Sequence, residues 1–401
     1  MEKEALKRKM AALWKDTFSD SEAYVDLVLD NYFNPDLIAW HEEGGRLISA
    51  LLGIPYEFKS SSPSVPPLKG LYLCGLATVP SHRGRGLMSR LIEEINEKAT
   101  RVGFDFSFLI PASEELTFYY EHRNYLPAFF YYEENYVSDH DFEVSLYKQC
   151  VKNNEQLRFR NFENLRCVKI NFKASGNSLV DDFNPELPEK LISFLNLHQP
   201  RLKKAEDEKA FALYHNYKDW ELAVRENIIS GDMIFICNEN SIIKGVAFAT
   251  MADSNHIKVK KIVTNEKNVK IKLLDSIKKH FPQKGMSVVS YVNELINDDI
   301  YENQIWRPFY IQNNNPQAEY EDVSIVETLN SSQNCTKPFG MCRILNESEI
   351  LKKVVGKTFD DKFSILANES KYLLRKPSTP DYIWEAFKLP ELNLSAFILL
   401  E

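Results

Sequence analysis

The 401-residue chain has no pair of cysteines at CxxC spacing; its six cysteines, Cys74, Cys150, Cys167, Cys237, Cys335 and Cys342, are scattered, several of them in apolar stretches. They read as free thiols in a reducing compartment rather than as metal ligands or disulfides. No other group of residues has metal-ligand spacing, so no metal is expected. Long apolar runs are missing too. The longest uncharged ones, such as Leu47–Pro55, fall far short of the ~18 residues that a membrane span needs. The first residues, MEKEALKRKMAALWK, are charged and helical rather than a secretion signal. The expectation is a cytoplasmic protein without a membrane partner. Basic charge is in deficit, with 49 Lys and Arg against 57 Asp and Glu, a net charge of −8. That argues against nucleic acid or an anionic membrane as main partner and is compatible with a cationic small molecule.

What is present is an ordinary globular composition, 44% hydrophobic and 26% charged, with room for two or three domains. The most informative stretch is LYLCGLATVPSHRGRGLMSR, Leu71 to Arg90. An apolar strand enters a basic, glycine-punctuated loop that opens an amphipathic helix. Met88, Leu91, Ile92, Ile95 and Ala99 repeat at the spacing of one buried helix face, and Gly103 fits a C-cap. Uncrowded N–H groups at Arg83, Gly84, Arg85 and Gly86, together with the helix dipole, suit a pyrophosphate. GxxxxGK[ST] is absent, and GxGxxG fails because Leu87, Met88 and Ser89 follow Gly86.

The first unit, 1–140, reads as helix over Met10–Asp30, broken at Ser19–Ser21. A hairpin follows, Asp36–His41 and Arg46–Phe58, turning at Glu42–Gly45. Ser60–Pro67 is a loop, and Leu71–Val79 a strand with a bulge expected at Gly75. The phosphate helix, a strand at Phe104–Ile110, a helix at Glu114–His122 and an aromatic strand at Phe129–Val137 complete it. The fold class is α/β (α+β), a mixed twisted sheet flanked by helices. The second unit, 141–335, repeats the order with a helix at Trp220–Ile229. The hairpin Met233–Cys237 and Ile242–Met251 comes next, then a strand at His256–Val263, a helix at Val269–Lys279 and a strand at Met286–Val292. Its loop Thr264–Asn268 has no glycine or arginine, and Glu266 would repel a pyrophosphate. The remaining piece, 336–401, starts with a strand at Met341–Leu345 and a helix at Asn346–Val355. At this size it is marginal alone and should dock on the rest.

The phosphate loop resembles that of the GNAT acetyltransferases, whose pattern is roughly Arg/Gln-x-x-Gly-x-Gly/Ala between a strand and a helix. Arg83, Gly86 and Met88 stand in those places. Met88 departs from the small last residue, and His82-Arg83-Gly84-Arg85-Gly86-Leu87-Met88 resembles the Eis-like (enhanced intracellular survival) branch. The resemblance implies an N-terminal GNAT domain, a second, degenerate GNAT-like domain and a trimmed sterol-carrier-like segment at the C-terminus. One departure is that no strand precedes the first helix. The family forms assemblies, so a homo-oligomer is compatible with the resemblance; no interface is legible in the residues.

The resemblance further implies acetyl-CoA as co-substrate and a small-molecule primary amine as acceptor, by direct attack. The backbone of Leu76, Ala77, Thr78 and Val79 would hold the pantetheine arm, and Arg83, Gly84, Arg85, Gly86, Leu87, Met88 and Ser89 the pyrophosphate. The family's Tyr-x-x-x-Gly-Tyr/Phe motif maps onto Tyr120 and Tyr125, with Asn124 in place of glycine. Tyr120 is then the acid for the departing thiolate, and Tyr119 its neighbour if the register slips. Leu71–Val79 carries no Asp, Glu or His, so the base lies elsewhere. In the Eis-like branch it is the chain's own terminal carboxylate, here that of Glu401. His82, His122 and His215 read as non-catalytic. A lysine of a protein or peptide as acceptor, or a non-catalytic acyl-CoA-binding role, stays open.

Overall fold

The computed structural model describes residues 3–60, 65–136, 164–175, 178–181, 184–198, 211–282, 284–291 and 336–346. The described residues within 1–129, 172–231 and 338–401 pack as one unit, and those within 130–171 and 232–337 as another.

The first unit opens with α1 (Lys3–Phe18) and α2 (Glu22–Tyr32), separated by Ser19 at positive φ and capped by the Ser21 hydroxyl on the Tyr24 N–H. Strands β1 (Ile38–Glu43) and β2 (Arg46–Ser60) form the expected hairpin. Gly44 and Gly45 both take positive φ at its turn, the demand of a type I′ connection. β3 (Leu68–Thr78) pairs antiparallel with β2; α3 (Leu87–Arg101) crosses over; β4 (Phe106–Leu109) returns parallel to β3. α4 (Glu114–Glu121) and the first residues of β5 (Leu126–Tyr136) follow. Among the described residues no strand precedes α1. The edge of β2 beyond its pairing with β1 is taken by β9 (Phe211–Tyr214), from much later in the chain.

One sheet face is covered by α3 and α4. Leu91, Ile92, Ile95 and Ala99 of α3 pack on Leu37, Ala39, Leu51, Leu71 and Leu73, with Tyr120 and Tyr125 in the same cluster. On α1, the Trp14 indole N–H donates to the Gly75 carbonyl at 3.1 Å. α6 (Tyr217–Ile229) lies on α2 through Leu27 and Leu222, and the Tyr32 hydroxyl donates to Asp219 at 3.4 Å. Asp219 also closes a capping box with Asn216, which starts that helix. The described residues within 172–231, a stretch that the sequence alone groups with the second unit, thus pack with the first.

The second unit pairs β10 (Met233–Glu239), β11 (Ile242–Asp253) and β12 (His256–Val263) antiparallel. α7 (Lys267–His280) then crosses to β13 (Gly285–Tyr291), which is parallel to β12. This is the β1-β2-β3-α3-β4 order a second time. β6 (Leu165–Ile170) pairs with β10 at the end of this sheet, and β7 (Lys173–Ser175) with β8 (Ser178–Val180) forms a separate ribbon. α5 (Leu187–His198) stands before β9.

β14 (Thr336–Ile344) contains the strand expected to open the third piece. It lies antiparallel beside β4, Cys342 opposite Phe108 and Met341 opposite Leu109, so it is a strand of the first unit's sheet. Leu345 and Asn346 N–H groups donate to the Asp105 carbonyl at 3.0 and 3.1 Å. Arg343 makes a two-pronged ion pair to Glu93 of α3 at 2.6 and 2.9 Å. The helix expected at Asn346–Val355, and the rest of 347–401, lie outside the described residues, as does part of the Ser60–Pro67 loop.

Candidate active site

β3 and β4 are hydrogen-bonded only from Gly70/Phe106 to Tyr72/Phe108 and then part. The cause lies in β3. Gly75 takes φ +58, and the pairing to β2 slips between Ala50 and Leu52, the bulge that the sequence led us to expect. A Cβ on Gly75 would stand 1.9 Å from the Trp14 ring, so only glycine lets the strand bend beneath that indole. Beyond the bulge, Val79 N–H donates to the Ile48 carbonyl and the Ala77 carbonyl accepts the Ser49 hydroxyl, both committed to β2. Strand alternation therefore turns the backbone groups of Leu76 and Thr78 toward the opening. The Thr78 carbonyl there accepts Arg83 Nε at 3.2 Å.

The strand runs through a short turn, Pro80–His82, into the glycine loop. Gly84 and Gly86 sit at φ +76 and +71, and a Cβ at either would meet nothing within 4 Å. Gly86 is the N-cap of α3 with no side-chain cap; the first helical bond runs from Arg90 N–H to its carbonyl. The N–H groups of the first turn thus face open space at the positive end of a fifteen-residue helix, the arrangement a pyrophosphate needs. Met88 does not obstruct it, because its side chain packs down against the α3 core. Arg83, Arg85 and Gly86 are exposed. Arg85 reaches Glu43 on the hairpin tip at 2.8 Å, where His41 and His82 also meet that carboxylate at 3.0 and 3.5 Å. His41 first, then Arg85, hold the Glu43 carboxyl below its ordinary range. The sequence showed Glu43 only as part of a turn; the hairpin's return brings it to the loop.

Both helices that frame the opening end in one way. After α3, Gly103 N–H donates to the Thr100 carbonyl and Phe104 N–H to Ala99; after α4, Asn124 N–H donates to Glu121 and Tyr125 N–H to Tyr120. These are Schellman pairs, and each needs a left-handed residue, Gly103 at φ +85 and Asn124 at φ +62. Asn is the non-glycine residue that best tolerates this conformation, which explains why Asn124 can stand where the motif has glycine. Asn124→Ala is expected to lower stability by about 1 kcal/mol and Asn124→Gly to preserve it, as read by thermal unfolding.

The turn brings the Tyr120 and Tyr125 rings to 6.1 Å, edge to face. Their hydroxyls differ. Tyr125 is wholly buried and its hydroxyl bonds Ser107 at 2.8 Å and Asn96 at 3.2 Å. Burial pushes it up to about 12, although Ser107 and Asn96 oppose the shift. Tyr120 is 6% exposed and its hydroxyl has no hydrogen-bond partner among the described residues. Burial, and then Tyr119, raise its pKa far above the phenol value, against Arg123. Tyr119 is engaged: its hydroxyl meets Ser89 at 3.1 Å and its ring carries the Arg123 guanidinium 3.4 Å from the centroid. Arg123 Nε also donates to Ser89 at 3.1 Å. The reserve candidate Tyr119 is thus tied to the helix start, whereas Tyr120 keeps its hydroxyl available. Arg123 as a cation at the α3 N-terminus was not foreseen; its spacing from Tyr119, four residues across a helix end, was the available signal.

The family model for the acetyltransferase (GNAT) domain matches residues 3–127. Those residues are a GNAT acetyltransferase domain. The fold of the chain as a whole is similar to that of a conserved Enterococcus faecalis protein described as a probable N-acyltransferase, at 12% identity and TM-score 0.52, covering 88% of this chain and 73% of that one. A GCN5-related N-acetyltransferase from Kribbella flavida gives 12% identity and TM-score 0.50, with 86% and 69% covered. Eis1 of Mycobacterium abscessus aligns at 11% identity and TM-score 0.47, with 88% and 75% covered. No curated protein matches the sequence. Among the described residues there is no group of three His, Cys, Asp or Glu able to hold a metal ion, and no helix long and apolar enough to cross a membrane. Glu401 lies outside the described residues.

Proposed function

We propose that the chain is a cytoplasmic N-acetyltransferase of the Eis-like type that moves an acetyl group from acetyl-CoA to a primary amine of a small, cationic molecule. One observation carries the reading. A tyrosine hydroxyl with no hydrogen-bond partner among the described residues, that of Tyr120, and a helix N-terminus, Gly86 to Ser89, flank the same opened strand pair. In this reading the amides of Gly84 to Ser89 and the guanidiniums of Arg83 and Arg85 hold the pyrophosphate, with Arg85 leaving Glu43. The backbone groups of Leu76 and Thr78 hold the pantetheine arm and orient the thioester. The net charge of −8 supports a cationic acceptor over an anionic one. The degenerate second domain and the sterol-carrier-like C-terminal segment belong to the same reading.

The amine attacks the thioester carbonyl directly; the C–S bond breaks and the thiolate leaves. Tyr120 is a weak acid here, so handing its proton outright to a thiolate of pKa ~8.5 would be uphill by 1.36 kcal/mol per pKa unit. The hydroxyl acts instead as a hydrogen-bond donor to the departing sulfur. It passes its proton as another is supplied from the attacking amine, and no free phenolate forms. The Glu401 terminal carboxylate is assigned as the group that takes the first proton, from the ammonium form of the acceptor, so that the neutral amine attacks. Extending the chain past Glu401 is expected to lower turnover at least ~10-fold while leaving acetyl-CoA affinity unchanged; the scale is that of lost general-base catalysis. An extended enzyme of full activity would remove that assignment.

The raised pKa of Tyr120 has a signed consequence. A group whose pKa is raised stays protonated as pH rises, so the donor is not lost on the alkaline side. The kcat profile should climb on the acid side as amine and base deprotonate, then hold level to roughly pH 10, where an ordinary phenol would already be half ionised. A fall between about pH 8 and 9 would point to a different donor.

The direct test is thiol release from acetyl-CoA by the untagged protein against polyamines, amino sugars, arylamines and lysine peptides. Turnover with a small amine supports the reading. Turnover with lysine peptides alone moves the acceptor class to protein. Tight acetyl-CoA binding without release for any amine leaves a binding role.

A further inference from the structure

We propose that Cys167 and Cys237 form a redox-active dithiol that closes to a cross-strand disulfide on meeting a low-molecular-weight disulfide. They stand on neighbouring antiparallel strands, β6 and β10, directly opposite one another. Both belong to the face beneath α7: Cys237 is fully buried in the second unit's apolar cluster, and half-buried Cys167 packs against it. Directly opposed residues have Cα atoms about 4.5 or 5.5 Å apart, inside the span of about 4.4–6.8 Å that a disulfide bridges. Their Cβ atoms, about 4.5–5.5 Å apart, need to approach by only ~1 Å to reach disulfide geometry. The two sulfurs already hydrogen-bond each other, which holds the Cys237 thiol low and pushes the Cys167 thiol up. Lys272 on α7 favours the anion at both sulfurs; Asp275 opposes it at Cys167, and Glu266 and Glu239 at Cys237. The first proton of the pair therefore leaves from Cys237, and Cys167 keeps its own.

The chemistry balances without further reagents. Cys167, the accessible sulfur, passes its proton to the Cys237 thiolate as it attacks one sulfur of the small disulfide, breaking its S–S bond and releasing one thiolate. Cys237, its proton passing to solvent, attacks Cys167 Sγ in the mixed disulfide and releases the second. Two protein thiols are oxidised to one disulfide, and the small disulfide is reduced to two thiols. The other described thiols lack this arrangement. Cys74 faces Leu52 and Cys342 faces Phe108 across their strands, and burial pushes both thiols up. Location gives the bond its consequence. The chain leaves the second unit after β6 and re-enters it at β10, and the described residues within 172–231, with α5, β9 and α6, pack in the first unit. The disulfide would tie together the two ends of that excursion.

The test uses the full native chain, exposed to oxidised glutathione at about pH 8, where thiolates are populated. The chain is then alkylated, and its intact mass and peptide map are recorded. The expected product is lighter by two hydrogens, yields a Cys167–Cys237 linked peptide and returns to the thiol form with dithiothreitol. Cys237→Ser should stop at one glutathione on Cys167, and Cys167→Ser should give neither the link nor an adduct at Cys237. Circular dichroism of each variant checks that it is folded. Three results would overturn the proposal: stable glutathionylation of Cys167 in the unmutated chain, linkage to other cysteines, or no reaction at either thiol when the urea-unfolded chain reacts.

Discussion

Tyr120→Phe is expected to lower kcat by about 100-fold or more, the range over which a positioned proton donor acts. Acetyl-CoA affinity should hold, because the substitution removes one oxygen that hydrogen-bonds no other described residue and leaves the ring in the core cluster. Two neighbours make the test specific. Tyr119→Phe loses the bond to Ser89 but leaves Arg123 able to reach that hydroxyl, so turnover should change little. Tyr125→Phe strands Ser107 and Asn96, both buried, and should cost about 1–3 kcal/mol of stability with turnover of the folded enzyme retained. Undiminished turnover in Tyr120→Phe, or a deeper loss in Tyr119→Phe, would sink the assignment. The separation of kinetic from stability effects is what distinguishes a donor from a core aromatic.

Gly75→Ala should be the most damaging single methyl in the domain. The new Cβ would lie 1.9 Å from Trp14 Cζ2 and 2.2 Å from Cε2, and the residue must keep φ +58. Left-handed backbone costs an alanine about 1–2 kcal/mol, and overpacking about 1–3 more. A loss near 3 kcal/mol is a large share of the roughly 5–15 kcal/mol of a typical domain. Melting should fall by roughly 6–12 °C, on the scale of about 2–4 °C per kcal/mol for a domain of this size. Gly84→Ala offers the contrast, since its Cβ meets nothing within 4 Å. It should cost only the backbone term, yet weaken acetyl-CoA binding if the loop amides hold the pyrophosphate. Equal melting of Gly75→Ala and the unmutated protein would show that Trp14 yields, and that the bulge is not what parts β3 from β4.

Much of the site could be read in the residues because its signals are local. The α3 stripe, the bulge at Gly75, the hairpin at Gly44 and Gly45 and the helix break at Ser21 each lie within a few residues of their cause. Asn124 reads as a departure in the motif and is resolved by its backbone angle, +62, which the Tyr120–Tyr125 turn demands. Glu43 was not legible as a partner of Arg85. The contact depends on how a hairpin tip returns over a loop forty residues on, and neither residue's neighbours record it.

The sequence by itself determined most elements of the first unit and the hairpin, strand, helix and strand from Met233 on, but not β6 to β9 or α5; it also showed where a chain can turn left-handed and where free amides meet a helix dipole. Those follow from side-chain periodicity and from glycine or asparagine at single positions. The tertiary structure decided which segments share a sheet. β14 pairs with β4, β9 with β2, and α6 lies on α2, although the chain separates each pair widely. It also set Cys167 opposite Cys237, thiols that sequence spacing leaves unrelated. Any apolar strand offers the same alternating face and the same row of backbone donors and acceptors. The choice among partners is therefore settled only when all faces are buried together, and that information is spread over the whole chain.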